Sequence, residues 1–255
     1  METHAAVKAG RIGQDRRMDN TGVAAVDRAF SIIDCFETGE SSLSLQALAA
    51  RTGLNKATII RLIASLEKAG CMSRRAHGQY ALGPALLRYG SVYQSSFHLA
   101  DRLLPILRDL TRGSGETAAF FVRDGDRRVC LHRVESNSAL RMHLKEGERH
   151  PLLPGGTGLV LLAFAGEAGA VYDQIRRDYF VLNVGGREPE ISSVAAPVLQ
   201  ADGTLAGTMS LTGATGKFTD GGADRFIRLL LPAAAEMTRL CGGDPAPFRK
   251  RLEML

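Results

Sequence analysis

The chain has no tryptophan, few aromatic residues and only four cysteines among its 255 residues. Cys35, Cys71, Cys130 and Cys241 lie far apart and form no CxxC pair, which removes zinc-finger and redox-motif readings. They read instead as small apolar residues of a reducing compartment. Long apolar runs are also missing. The uncharged stretch Pro151–Gly166 is too short to span a bilayer and is broken by Pro154 and several glycines. The N-terminus carries scattered charges and no apolar segment ahead of residues 11–20, so no signal peptide is expected. HExxH, GxSxG and Walker sequences are absent, and no GxGxxG follows a strand. Gly213-Ala-Thr-Gly216-Lys217 lacks the upstream glycine of a phosphate loop and continues into Phe218. His132, His143 and His150 have no evident ligand partner, and no nucleophile–base pair stands out. The expectation is a cytoplasmic protein without membrane segment, metal, cofactor or catalytic residues.

What is present is a charge imbalance confined to one place. The net charge is +5, yet residues beyond 94 carry twenty basic and nineteen acidic side chains and nearly cancel. Between Asn55 and Arg88 stand Lys56, Arg61, Lys68, Arg74, Arg75 and Arg88 against Glu67 alone. Such a run is ordinarily a solvated face; here its helical pattern points to nucleic acid.

Val26–Glu37 places Val26, Phe30, Ile33 and Phe36 at helical spacing and predicts a first helix with that face inward. Ser44 caps a short helix over Leu45–Arg51 with Leu48 inside, and Thr52-Gly53-Leu54 is a tight turn. Asn55 then caps Lys56–Ala69, where Ile59, Leu62, Ile63 and Leu66 form a complete inner stripe. Ala57, Arg61, Ala64 and Lys68 lie opposite it, flanked by Thr58 and Ile60, a face small enough to approach a major groove. Helix, short helix, tight turn and longer helix is the helix-turn-helix order. Two short strands around His77-Gly78 read as a wing, with Arg74, Arg75 and His77 near the phosphate backbone. Ser44, Asn55, Lys56, Ala57, Thr58, Ile60, Arg61 and Lys68 complete the expected DNA-binding set with the wing residues.

Pro84–Ser95 predicts a linker helix whose Leu86, Leu87, Tyr89, Tyr93 and, beyond it, Phe97 suit a dimer seam or, equally by pattern, packing on its own domain. A further helix around Ala100–Arg112 accommodates Pro105. Thr117–Arg123 and Val129–Val134 flank Asp124-Gly125, and Ile191–Leu199 and Leu205–Thr212 flank Asp202-Gly203, two hairpin signals. A helix from about Thr219 to Cys241 turns Phe226, Leu229, Leu230, Ala233 and Met237 inward. Antiparallel hairpins with segregated helices argue for an α+β sensor-like domain. Within it, Pro151–Gly158 leads through glycines into an apolar helix expected over Leu159–Ala165. Its N-terminal N–H groups, including those of Gly156 and Thr157, form an anion-binding feature. Ser210 and Thr212 share one strand face, where their hydroxyls need either nearby backbone or a small organic acid as partner; Met142 with Leu152 could cover the apolar body of such a ligand.

These residues resemble the IclR-type (isocitrate lyase regulator) bacterial transcription factors from about Val23 to Cys241. The marks are Val26-Asp-Arg-Ala29, Lys56–Ile63 with Leu66–Gly70, Tyr80-Ala-Leu82-Gly83, Pro105-Ile-Leu107 through Gly115-Glu116-Thr117, Leu140-Arg141-Met142, Thr157-Gly158, Ala195–Val198 and Ser210–Gly213. The resemblance implies an N-terminal winged helix-turn-helix, a linker helix and a GAF/PAS-like (profilin-like) effector-binding domain. It implies homodimers or dimers of dimers on palindromic double-stranded operator DNA, with a small carboxylate or aromatic effector. Transferred by motif, the effector pocket comprises Met142, His150, Gly156, Thr157, Asn183, Ser193, Ser210 and Thr212. The expected domains are a tail over 1–20, the DNA-binding domain over 21–83, the linker over 84–98 and the effector domain over 99–255. That last domain is shorter than the family pattern around 165–171. An enzyme with an accessory DNA-binding domain and a pure dimerisation module are the rival readings.

Overall fold

A computed structural model describes residues 22–37, 39–96, 99–137, 145–186, 188–219 and 221–255. The expected N-terminal tail, Phe97, Met142 and the whole Leu140–Met142 mark lie outside these residues. The chain divides into two compact units, the first ending at Ser91 and the second beginning at Val92.

In the first unit, α1 (Ala24–Ile33) precedes β1 (Leu43–Ser44), α2 (Leu45–Thr52) and α3 (Lys56–Lys68). The Ser44 hydroxyl accepts from the Ala47 N–H at 3.1 Å and Asn55 Oδ1 from the Thr58 N–H at 2.8 Å, so both expected caps form. Gly53 closes α2 in the left-handed region. Leu48 and Ile59 are fully buried and pack with Ile32, Ile63, Met72 and Tyr80. The expected inner face of α1 needs correcting. The helix ends at Ile33, before Phe36, and its buried residue is Ile32, whereas Val26 and Phe30 are exposed. Glu40 closes this unit from outside: both its carboxylate oxygens accept from Arg51 at 2.6 Å, and Arg51 also donates to the Cys35 carbonyl. The guanidinium holds the Glu40 carboxyl down at about 2, from an ordinary 4.5. Because the folded value is the lower one, the pair stabilises the fold above pH 4.5 and loses that contribution as pH falls toward 2. Thermal unfolding followed by circular dichroism should therefore show a smaller drop between pH 5 and pH 3 in Glu40→Gln than in the unsubstituted chain.

The wing is β2 (Met72–Arg74) and β3 (Gln79–Leu82), joined through a turn at Ala76–Gly78 in which His77 takes φ 56°. β1 adds an unanticipated third strand to give the order β1-β3-β2. Gly83 then folds against the end of α3. Its N–H donates to the Cys71 carbonyl at 2.8 Å, Ala85 donates to Gly70 at 3.0 Å, and a Cβ on Gly83 would overlap the Gly70 carbonyl. From this seam springs α4 (Ala85–Ser96), in which every residue from Leu87 to Tyr93 is exposed.

The second unit is built on β4 (Thr117–Asp124), β5 (Arg127–Val134), β6 (Arg149–Pro151), β7 (Val181–Asn183), β8 (Ile191–Leu199) and β9 (Leu205–Ala214). They form one antiparallel sheet in the order β6-β5-β4-β9-β8-β7. Both expected hairpins are there. Strand alternation gives the sheet two faces. Ala118, Phe120, Val194, Ala196, Met209 and Leu211 pack with α5 (Leu99–Ser114) and α8 (Gly222–Leu240) into the main core. Leu229 and Ala233 of α8 sit at its margin, while Ile227, Leu231 and Ala234 go inside. The opposite face is covered by α6 (Gly156–Phe164), followed by α7 (Ala170–Asp178); Val160, Ala163 and Ile175 pack with Ala195. The helix expected over Leu159–Ala165 thus begins three residues earlier, with two glycines inside its first turn. A C-terminal helix, α9 (Ala246–Glu253), anchored by fully buried Phe248, had no sequence expectation. Among the described residues no helix is long and apolar enough to cross a membrane.

Candidate functional site

Two surfaces carry the expected functional residues, one in each unit. On the first unit, packing of Ile59 and Ile63 turns the opposite side of α3 outward, so Lys56, Ala57, Arg61, Ala64 and Lys68 are exposed. Ile60 is 45 % exposed among them, apolar in the middle of a polar face, and Thr58 is half-buried. The Ser44 and Asn55 side-chain oxygens are engaged in helix caps, which gives both residues a structural job at the starts of α2 and α3. On the wing, Arg75 and His77 are exposed at the tip. Arg74 faces Tyr80 across the strands; its Nη2 donates to the Tyr80 hydroxyl at 3.0 Å and its guanidinium lies 5.5 Å from the ring centre. That hydrogen bond pushes the Arg74 pKa above its ordinary value and tethers the guanidinium to the wing. Helix face and wing thus both present cations at the surface, with small side chains along the helix.

In the second unit, a small cavity of about 40 Å³, partly open to solvent, lies between the start of α6 and the sheet. The sheet supplies its floor in register. Asn183, Ser193 and Thr212 stand side by side across β7, β8 and β9, and Ser210 follows one step along beside Ala195. Small side chains here let α6 come down on the sheet: a Cβ on Gly156 would lie 3.1 Å from Ser193 Oγ and 3.3 Å from Asn183 Cβ. Gly155, the N-cap, brings no side chain to the first-turn N–H groups of α6. The Ser210 hydroxyl lines the cavity, is 1 % exposed and has no hydrogen-bond partner among the described residues.

Of the residues expected in an effector pocket, Gly156, Thr157, Asn183, Ser193, Ser210 and Thr212 border this one cavity. His150 and Leu152 do not. His150 is buried on β6 with its ring 3.3 Å from Glu148, and Leu152 packs into a small core with Leu161 and Leu162. Met142 is outside the described residues. The sequence reading missed Arg128, which also lines the cavity and is 4 % exposed. Its signal was strand parity: Arg128 shares a face of β5 with fully buried Cys130. Phe121, Pro154, Gly155, Glu188 and Ile191 complete the lining. Lys217, at the end of the glycine-containing loop, is ion-paired with buried Glu116, a structural use for that cation. No metal-ligand cluster occurs among the described residues.

Known proteins match both units. The model of the IclR helix-turn-helix domain matches residues 25–75, and that of the bacterial transcriptional regulator IclR C-terminal domain matches residues 91–172, together more than half the chain. The HTH-type transcriptional regulator BhcR of Paracoccus denitrificans is 28 % identical over 255 residues, covering 90 % of this chain and 91 % of that one. An IclR transcriptional regulator of a Silicibacter species superposes with a TM-score of 0.76 at 24 % identity, covering 86 % of this chain and 96 % of its own. An IclR homolog from Microbacterium hydrocarbonoxydans, solved with 4-hydroxybenzoate, gives a TM-score of 0.66 at 16 % identity, covering 91 % and 100 %. With its winged helix-turn-helix, its α+β second unit and these relatives, which are regulators and not enzymes, the chain belongs to the IclR family of bacterial transcriptional regulators.

Proposed function

We propose that a small organic acid or aromatic metabolite enters the cavity under α6 and changes how a homodimer of this chain binds a palindromic operator of a catabolic operon. The observation that carries the reading is the Ser210 hydroxyl, buried without a described partner beside the α6 N-terminus. Leaving such a group unsatisfied costs roughly 1–3 kcal/mol, a cost that a ligand oxygen offsets. The first-turn N–H groups and the helix dipole favour an anion at the same place. An aromatic acid bound to the Microbacterium relative is of the class proposed.

The test is thermal shift of the full chain against small carboxylates, since a ligand specific to the folded state raises the melting temperature. Thr157→Val keeps shape and removes one hydroxyl; it should weaken the effector several-fold while operator binding without effector stays unchanged. Full effector response in both Thr157→Val and Ser210→Ala would place the site elsewhere.

Assembly is proposed through α4. Leu87 is 76 % and Val92 61 % exposed, and Tyr89 and Tyr93 about half, which is more apolar surface than a solvated linker carries. Sedimentation at micromolar concentration should show a dimer, with the two α3 helices about one DNA turn, ~34 Å, or a multiple of it apart. A stable monomer would end this part of the reading.

A further inference from the structure

The exposed side of α3 carries one group that attraction to phosphate does not account for. Ile60 is 45 % exposed on a side that also presents Lys56, Ala57, Arg61 and Ala64 to solvent. It has no part in the core, which takes Ile59 and Ile63 from the same helix. On a helix surface the neighbours of a side chain lie three and four residues away. For Ile60 these are Lys56, Ala57 and Ala64, with Ile63, the fourth, turned inward. The two alanines rise no higher than a methyl, so the isoleucine stands clear of the helix surface between them. Folding gives no reason for it, because a β-branched residue in a solvated helix is a poorer helix former than alanine. Its position is also particular. It is the fifth residue of a helix whose first turn is fixed by the Asn55 cap, in the N-terminal half that reaches base edges when such a helix enters a groove.

Resting on operator binding through α3, we infer that Ile60 is a specificity-determining residue that reads the 5-methyl group of a thymine in the major groove. The base edges there present hydrogen-bond donors and acceptors, and one apolar group, the C5 methyl of thymine. An aliphatic side chain neither donates nor accepts, so covering that methyl is its favourable contact. Against the amino group of a cytosine the same isoleucine would displace water and return no hydrogen bond, which is a cost. Thymine is thus favoured twice, by the gain at its methyl and by the penalty at its competitor. The exposed cations of α3 draw a duplex in through its phosphates or its hydrogen-bonding edges. Ile60 adds a preference that charge cannot express.

Duplexes enriched by the full unsubstituted chain from a random-sequence pool supply the probe. Each thymine of the enriched half-site is replaced in turn by deoxyuridine, which lacks only the methyl. At one position this replacement should lower affinity about fourfold, the worth of one buried methyl at roughly 0.8 kcal/mol. In Ile60→Ala the thymine duplex should bind more weakly, and the same replacement should then change nothing. Ile60→Val keeps the branch at Cβ and should retain part of the thymine preference. Because Ile60 is exposed and alanine is the better helix former, Ile60→Ala should melt no earlier than the unsubstituted chain. A fourfold loss that persists undiminished in Ile60→Ala gives the methyl contact to another residue and overturns the inference. An enriched half-site in which no deoxyuridine has an effect overturns it too. In both cases operator binding itself stands. A pool from which no sequence is enriched overturns operator binding, and the inference with it.

Discussion

Gly158→Ala is expected to destabilise the second unit by about 3 kcal/mol or more and to abolish any effector response. The added methyl would overlap the carbonyl oxygen of Leu152, a backbone atom that cannot swing aside like a side chain. That carbonyl is itself pinned, since it accepts from Arg128 at 3.0 Å, and Leu152 is packed against Leu161 and Leu162. Relief therefore requires either the first turn of α6 or the segment after β6 to move, and both border the cavity. At this size each kcal/mol lowers the melting temperature by roughly 2–4 °C, so the drop should approach ~10 °C. Gly216→Ala is the control, because a Cβ there meets nothing within 4 Å. Equal melting temperatures for the two variants would mean that α6 does not lie on the Leu152 backbone as described.

Arg61→Ala is expected to remove roughly 1–3 kcal/mol of operator affinity, the worth of a bidentate base contact, with little change on random duplex. Arg61 stands at the centre of the exposed side of α3, between small residues that let the helix approach a groove. Arg74 is tethered to Tyr80 on the wing, away from the exposed face of α3, and is expected to meet a phosphate instead of a base edge. Arg74→Ala should therefore weaken all sequences alike and reduce the salt dependence by about one phosphate's share, a slope change near 0.9. Binding titrations on specific and random duplex at two salt concentrations separate the two. Equal losses on both duplexes in both variants would refute the division of labour.

The helix-turn-helix was legible because its rules are local. A capping oxygen, a complete apolar stripe and a glycine in the left-handed region fix α2 and α3 within a few residues. The phase of α1 was not, because Phe36 continues the pattern past the point where the helix stops, and the choice of Ile32 over Phe30 is made by the partners it packs on. The start of α6 was misplaced for a related reason. Glycine argues against helix locally, yet Gly156 and Gly158 sit in the first turn: the Leu152 carbonyl leaves no room for a Cβ at Gly158, and Ser193 and Asn183 crowd one at Gly156. Ser193, Ser210 and Thr212 could be placed by motif, but their meeting at one cavity depends on the β7-β8-β9 register. Arg128 escaped because a charged residue next to another arginine reads as surface until strand parity pairs it with Cys130.

The seam at Gly83 makes a mechanical element of α3 and α4. With the Gly83 and Ala85 amides bonded to Cys71 and Gly70, and no space for a methyl between them, there is no slack at the joint. A twelve-residue α4 is a lever of about 18 Å. Within the first unit that joint ties the end of α3 to the first turn of α4, so a side chain forced in at Gly83 would disturb both helices at once. Gly83 thereby serves as a weld: it makes the wing, the end of α3 and the root of α4 a single rigid piece.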